Sequence, residues 1–285
     1  MDFLAYRSNA GNTSGSAAET AKVLHESNPV LEGFGNAKTN RNPNSSRFGK
    51  FQMMFFSPPT ADKPPQISKV AIATYLLEQS RVTGINDPER NYHAFYMMLA
   101  GSEERKSFQL DADPHAYSYL SGSSCKVIPG MSDLDMLKEI KGAFSAIAVD
   151  KGQMQDIFRL ISGILHLGNM TYEPDGDGST LAKKTASDAK RASKCLGLKE
   201  DDLALITTTK AISAGGRGSG VRAQLDPVAA ARARDSIAKA AYGKLFNWLV
   251  QQLNDVLEST GGTAKSRITA ARKSKHHAAN SIDEK

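Results

Sequence analysis

The run from Asn36 to Lys50 packs hydroxyls, amides and cations between two apolar stretches, a density that core packing alone does not explain. A chain carrying it must hold that segment at a surface or against a polar ligand, and its chemistry suits a phosphate-sensing loop. Adjacent Ser45 and Ser46 can offer one hydroxyl to a magnesium ion and the other to a phosphate or an attacking water. Arg47 adds a fixed fork for a carboxylate or phosphate. Asn, Ser, Gly and Pro also build ordinary surface turns, so residue types leave both readings open and only their order can separate them.

The periodicity changes along the chain. Phe48, Phe51, Met53, Met54, Phe55 and Phe56 make a strand-like run ended by Pro58-Pro59, and Val70, Ile72, Thr74 and Leu76 alternate as a second strand. From Asp87-Pro88 onward Tyr92, Phe95, Tyr96 and Leu99 sit at helical spacing, with Asp87 expected as N-cap and Pro88 as the first helical residue. Leu134 and Leu137 begin a further helix behind Ser132. Met154, Ile157, Phe158, Ile161 and Leu165 form an apolar stripe that stops before Gly168-Asn169. Asp226-Pro227 caps the longest helix, in which Ile237, Ala241, Leu245, Leu249 and Leu253 recur every fourth residue beside Trp248. Upstream, Ala17 to Leu24 reads as a short helix broken by Asn28-Pro29.

Composition narrows the function classes. With 285 residues and 40% hydrophobic content the chain can bury a sizeable core, and its formal charge of +6 suits an acidic partner without naming one. Cys125 and Cys195 have no metal-ligand or redox pairing, which points to a reducing compartment. No stretch of about 18 consecutive apolar residues occurs and no signal peptide is evident, so a cytoplasmic location is expected. Asp175-Gly176-Asp177-Gly178 invites a calcium-loop reading, but Thr180 stands where that loop needs Gly and Ala186 where it needs Glu. A nucleic-acid module would need aromatics interleaved on a basic patch, and none is evident.

The order of the residues then becomes informative. Asn36-Ala37-Lys38-Thr39 followed by Asn42-x-x-Ser45-Ser46-Arg47-Phe48-Gly49-Lys50-Phe51 resembles switch I of the myosin motor family. Ser27 to Gly35, Tyr75 to Val82, Glu89 to Tyr96, Leu165 to Asn169 and Ala233 to Val250 match the family in the same order, so the resemblance covers about residues 17 to 257. It implies an α/β fold: part of a P-loop NTPase-like motor core with a few sheet strands, followed by a mostly helical second half. Residues 17–83 would carry switch I and the strands, 84–257 the helical upper part of the actin-binding cleft, with a flexible 1–16 and a disordered basic tail at 258–285. The implied activity is ATP hydrolysis with Mg²⁺, coupled to movement on an actin filament in the cytoskeleton. Carried over by position, Asn42 contacts the nucleotide phosphates, Ser45 the γ-phosphate or attacking water, and Ser46 the magnesium ion, while Arg47 pairs with a switch II carboxylate. Lys210, Arg217 and Arg222 fall in an actin-facing surface loop of the family. Pro43 departs from the family's usual polar residue there, and its fixed φ bears on loop closure.

Two family elements have no counterpart. No Gly-x-x-x-x-Gly-Lys-Ser/Thr lies before Ala17, and no Asp-x-x-Gly-Phe-Glu follows Leu257. Arg47 therefore lacks its family partner and must be solvated or find another carboxylate, which predicts a mobile switch I. Missing strands also predict exposed sheet edges and apolar faces, and with them a protein partner that covers the incomplete core. Negligible ATP hydrolysis by this chain alone is the corresponding expectation. The competing reading is a non-catalytic, motor-derived protein that binds actin or another partner.

Overall fold

The computed structural model describes residues 16–59, 61, 65–212 and 222–260. Helix α1 (Ser16–Gly35) runs directly into β1 (Asn36–Ala37), which pairs antiparallel with β2 (Ser45–Ser46) and so closes the polar loop at its base. β3 (Gly49–Phe56) and β4 (Ile67–Tyr75) form a longer antiparallel ladder. Four helices follow: α2 (His93–Ala100), α3 (Ser102–Phe108), α4 (Asp133–Ala143) and α5 (Lys151–Asn169). The hairpin β5 (Tyr172–Asp175) with β6 (Gly178–Leu181), helices α6 (Ala186–Leu196) and α7 (Glu200–Thr208), and the hairpin β7 (Thr209–Ala211) with β8 (Arg222–Gln224) lead to α8 (Pro227–Thr260).

Helix starts follow local chemistry. The Ser132 hydroxyl accepts from the Asp135 amide at 3.2 Å at the head of α4, and Asp150 and Gln153 form a reciprocal capping box on α5. The Asp226 carboxylate accepts from the Val228 and Ala229 amides, each at 2.8 Å, which satisfies two of the first free donors of α8.

Two local expectations fail. Asn28-Pro29 does not end the first helix: α1 continues through Pro29 to Gly35. Val30, Leu31 and Phe34 beyond the proline are 1%, 4% and 2% exposed, and their burial against α4, α2 and α8 outweighs the roughly 3 kcal/mol that an interior proline costs. Asp87 caps no helix either. Its carboxylate accepts from the Ser124 amide and hydroxyl at 2.5 and 2.6 Å, the Asp87-Pro88 bond is cis, and α2 begins at His93 with Tyr92 as its N-cap.

One contiguous core joins α1, β4, α2, α4, α5 and α8, and α8 crosses most of it. Gly35, at the junction of α1 and the polar loop, is required by packing: a Cβ there would lie 2.3 Å from the Phe48 ring, which stands edge-on to Phe246 of α8 at 4.8 Å. The expected exposure of the sheet is present. Phe51, Phe55, Phe56 and Tyr75 are 56%, 48%, 47% and 51% exposed. The outer edge of β4 is partly covered, because Asn254 of α8 mimics a strand: its side chain accepts from the Ile72 amide and donates to the Ile72 carbonyl, both at 2.8 Å.

Candidate functional site

The polar loop is held at its base, along its length and through its arginine. Ladder pairing sets Asn36 opposite Ser46 and Ala37 opposite Ser45, and Ala37 bridges to Tyr92. Thr39 and Asn42 close a turn in which the Thr39 amide donates to the Asn42 carbonyl at 2.9 Å and the Asn42 amide to the Thr39 hydroxyl at 3.2 Å. The Asn42 side chain caps the next bend by accepting from the Asn44 amide at 2.8 Å. The Arg90 amide donates to Lys38 carbonyl at 2.9 Å, and Lys38 reaches the Pro88 carbonyl at 2.6 Å.

Arg47 does find a carboxylate. Its Nε donates to Glu78 Oε2 at 2.7 Å, its NH1 donates to the Ser45 hydroxyl at 3.2 Å, and the two backbones are joined by the Glu78 amide donating to the Arg47 carbonyl at 3.0 Å. The same Glu78 oxygen accepts from Arg81 Nε at 2.8 Å. Arg81, 5% exposed, also donates to Glu89 at 2.8 Å and to the Arg90 carbonyl at 3.0 Å, and Glu89 accepts from the Asn40 amide at 3.4 Å. Asn40 and Arg47, on opposite arms of the loop, are thus tied through Glu89 and Glu78 to one buried guanidinium. Burial pushes the Glu78 carboxyl up, but the hydrogen bonds and charges of Arg47 and Arg81 outweigh it and hold Glu78 below its usual range.

A second network anchors the loop at Asn44. Its amide nitrogen donates to Glu32 of α1 at 3.0 Å, while its oxygen accepts from Asn36 at 3.0 Å and faces His93 Nε2 at 3.1 Å. Because that oxygen is an acceptor, His93 is assigned as the neutral tautomer with the proton on Nε2. Burial, with the charge of neighbouring Arg90, lowers the His93 pKa to about 4. Arg90 itself is fully buried, lies 3.6 Å over the Tyr96 ring and pairs with Asp133 at 2.7 Å.

The depressed histidine sets a pH dependence. Its folded pKa lies below the ordinary 6.5, so the unfolded chain binds the proton first, and this contribution is complete above about pH 6.5 and lost as pH falls towards 4. Between pH 7 and 5 wild type should lose about 2 kcal/mol that a His93→Gln variant, which keeps a donor for Asn44, does not lose. Urea midpoints of both proteins at the two pH values check this, and equal losses would refute it.

The structure brings Asn42, Ser45, Ser46 and Arg47 together on one loop. Asn42 and Ser46 are exposed, and the Ser46 hydroxyl spends its proton on the Phe48 carbonyl at 3.0 Å, which leaves its oxygen lone pairs on the accepting side. An oxygen-seeking divalent ion fits a hydroxyl so arranged. Glu78, Arg81, Glu89, Asn44 and His93 were not singled out as site residues from the sequence. The i,i+3 spacing of Glu78 and Arg81 directly after a strand is the signal that marks the first two.

Comparison with known proteins gives the sequence a family. The family model for the myosin head (motor domain) matches residues 1–269. The chain belongs to the myosin motor-domain family. Myosin-8 of Arabidopsis thaliana is 41% identical over 258 residues, covering 89% of this chain and 17% of that protein. Myosin-9 of the same plant is 39% identical over 279 residues, covering 94% of this chain, and Myosin-7 is 38% identical over 265 residues. The chain spans 14–17% of the length of these relatives. The myosin family assignment and the α/β architecture expected from the motifs therefore stand.

The residues assigned to the myosin surface loop are not brought to the polar loop. Lys210 and Arg222 lie exposed on the β7–β8 hairpin, where the Arg222 guanidinium folds back onto the Thr209 hydroxyl at 2.5 Å. Arg217, residues 1–15 of the N-terminal stretch expected to be flexible, and the basic tail from residue 261 lie outside the described residues. Residues 258–260, expected to begin that tail, are the last of α8. Among the described residues no helix is long and apolar enough to cross a membrane.

Proposed function

We propose that this chain supplies the switch I part of an actin-based ATPase motor of the cytoskeleton. The observation that carries the reading is the Arg47 arrangement: a guanidinium shared between Glu78 and the Ser45 hydroxyl, on a loop that leaves Asn42 and Ser46 exposed. When bound, ATP with Mg²⁺ supplies the phosphoanhydride to be cleaved and the charge that neutralises it. Ser46 offers hydroxyl lone pairs to the ion, Asn42 its amide to the phosphates, and Ser45 a hydroxyl to the γ-phosphate or the attacking water. Arg47 orients Ser45 and is the cation available to a carboxylate of the rest of the motor, so that Glu78 acts as its resting partner. In a myosin heavy chain carrying this segment, Ser46→Ala and Arg47→Ala should each lower actin-activated ATPase by roughly 10²–10³-fold. Undiminished turnover in both would overturn the assignment. The 285-residue chain alone should hydrolyse ATP no faster than its Ser46→Ala, Arg47→Ala variant.

The exposed Phe51, Phe55, Phe56 and Tyr75 favour a second reading, a non-catalytic protein that docks a partner on the sheet. Actin cosedimentation indifferent to ATP would support that reading. The basic hairpin is our proposed actin-facing surface, through Lys210, Arg217 and Arg222. Charge reversal at Arg217 and Arg222 should abolish salt-sensitive cosedimentation if the hairpin meets the acidic filament.

A further inference from the structure

A groove of about 640 Å³ lies far along the chain from the switch loop, between the C-terminal ends of α3 and α6 with α5 beneath them. Its floor is apolar: Phe108, Leu160 and Leu196 are half-buried and pack on the main core. Gly163 makes the floor close, since a Cβ there would lie 2.9 Å from Leu196 and 3.0 Å from Cys195. Above the floor stand Arg159, Arg191 and Lys194, with Asp156 as the one carboxylate among the lining residues. Arg159 contacts Asp156 at 2.7 Å, and Arg191 donates to the Gln109 side chain at 3.1 Å and lies 3.8 Å from Asp188, contacts that still leave several of each guanidinium's five N–H donors for a ligand. Cations at the end of α6 also complement its dipole. That accounts for Lys194 but not for Arg159, which projects from the middle of α5.

We propose that this groove binds a small anionic amphiphile, a carboxylate head on an apolar body of about ten carbons. The volume lies in the range of small-molecule sites, and an apolar floor under convergent donors is their usual composition. The apolar body covers Phe108, Leu160 and Leu196, and the carboxylate accepts from Arg159, Arg191 and Lys194. This site is independent of the motor reading and stands or falls separately from it.

Cys195 in the groove wall provides the readout, with half-buried Cys125 as an internal control elsewhere in the molecule. Decanoate, below its micelle-forming concentration, should slow iodoacetamide alkylation of Cys195 by about fivefold or more and leave Cys125 unchanged. Decanol, which lacks the charge, should not protect. An Arg159→Ala, Arg191→Ala, Lys194→Ala variant should lose the protection, and by titration calorimetry should bind decanoate at least about tenfold more weakly. Unequal protection of the two thiols that disappears in the variant supports the site. Equal protection by decanol, or calorimetric affinity unchanged in the variant, overturns it, because binding to the exposed aromatics of the sheet would survive loss of the three cations.

Discussion

Tyr242→Ala is expected to destabilise the protein by about 4–5 kcal/mol, the largest effect of any single site described for this fold. Tyr242 is fully buried, stacks on Tyr92 at 4.8 Å with an interplanar angle of 19°, and packs on Phe95 at 5.4 Å. Its hydroxyl donates to the Phe34 carbonyl at 2.9 Å, one residue before the α1–loop junction. Alanine would open a large cavity and leave that carbonyl without its donor. Tyr242→Phe keeps the ring and should cost about 1–2 kcal/mol, so urea unfolding of both variants divides packing from hydrogen bonding. The damage should reach the polar loop: Tyr92, whose hydroxyl donates to the Glu78 carbonyl at 2.9 Å, loses its stacking partner. A Tyr242→Ala protein within about 1 kcal/mol of wild type would show that α8 is not the wall on which the loop rests.

Arg81→Met should cost about 3–4 kcal/mol, with a fall in melting temperature of roughly 6–12 °C. Arg81 is 5% exposed and serves Glu78, Glu89 and the Arg90 carbonyl together. Methionine fills much of its volume but leaves two carboxylates close together with only Arg47 to balance them. Arg81→Lys should recover less than half of the loss, because one ammonium cannot span three acceptors in different directions. The sign of the pH response follows. Glu78 and Glu89 are both held below the ordinary glutamate value of 4.5, so their contribution is present above that value and lost as pH falls through the lowered one. In Arg81→Met that acid-side loss should shrink. An unchanged melting temperature in Arg81→Met would remove the hub from the account.

Much of this was legible in the sequence because it depends on neighbours in the chain. Asp226 caps α8 from one residue before it, Ser132 caps α4, and the stripe from Met154 to Leu165 predicts the buried face of α5. Membership of the myosin family was legible from residue order alone. What was not legible depends on distant packing. Pro29 stays inside α1 because Phe34 and its neighbours are buried by α8, some two hundred residues later in the chain. Asp87 has the signature of an N-cap, but Ser124 claims its carboxylate. The partner of Arg47 was the largest gap: with no switch II carboxylate in view the arginine was left to solvent or to an unnamed carboxylate, while Glu78, 31 residues away, is placed beside it by the β3–β4 ladder, in which Gly49 faces Tyr75.

The roles assigned to the Asn36–Lys50 loop depend on Glu78 holding Arg47. Backbone hydrogen exchange in wild type and Glu78→Gln tests this directly, because the Arg47 amide donates to Gly35 at 2.8 Å and the Glu78 amide to Arg47 at 3.0 Å. Wild type should protect both amides, and Glu78→Gln should speed their exchange by about tenfold or more while α5 exchanges as before. Equal exchange of the two amides in both proteins would contradict the claim that Glu78 holds the polar loop in place.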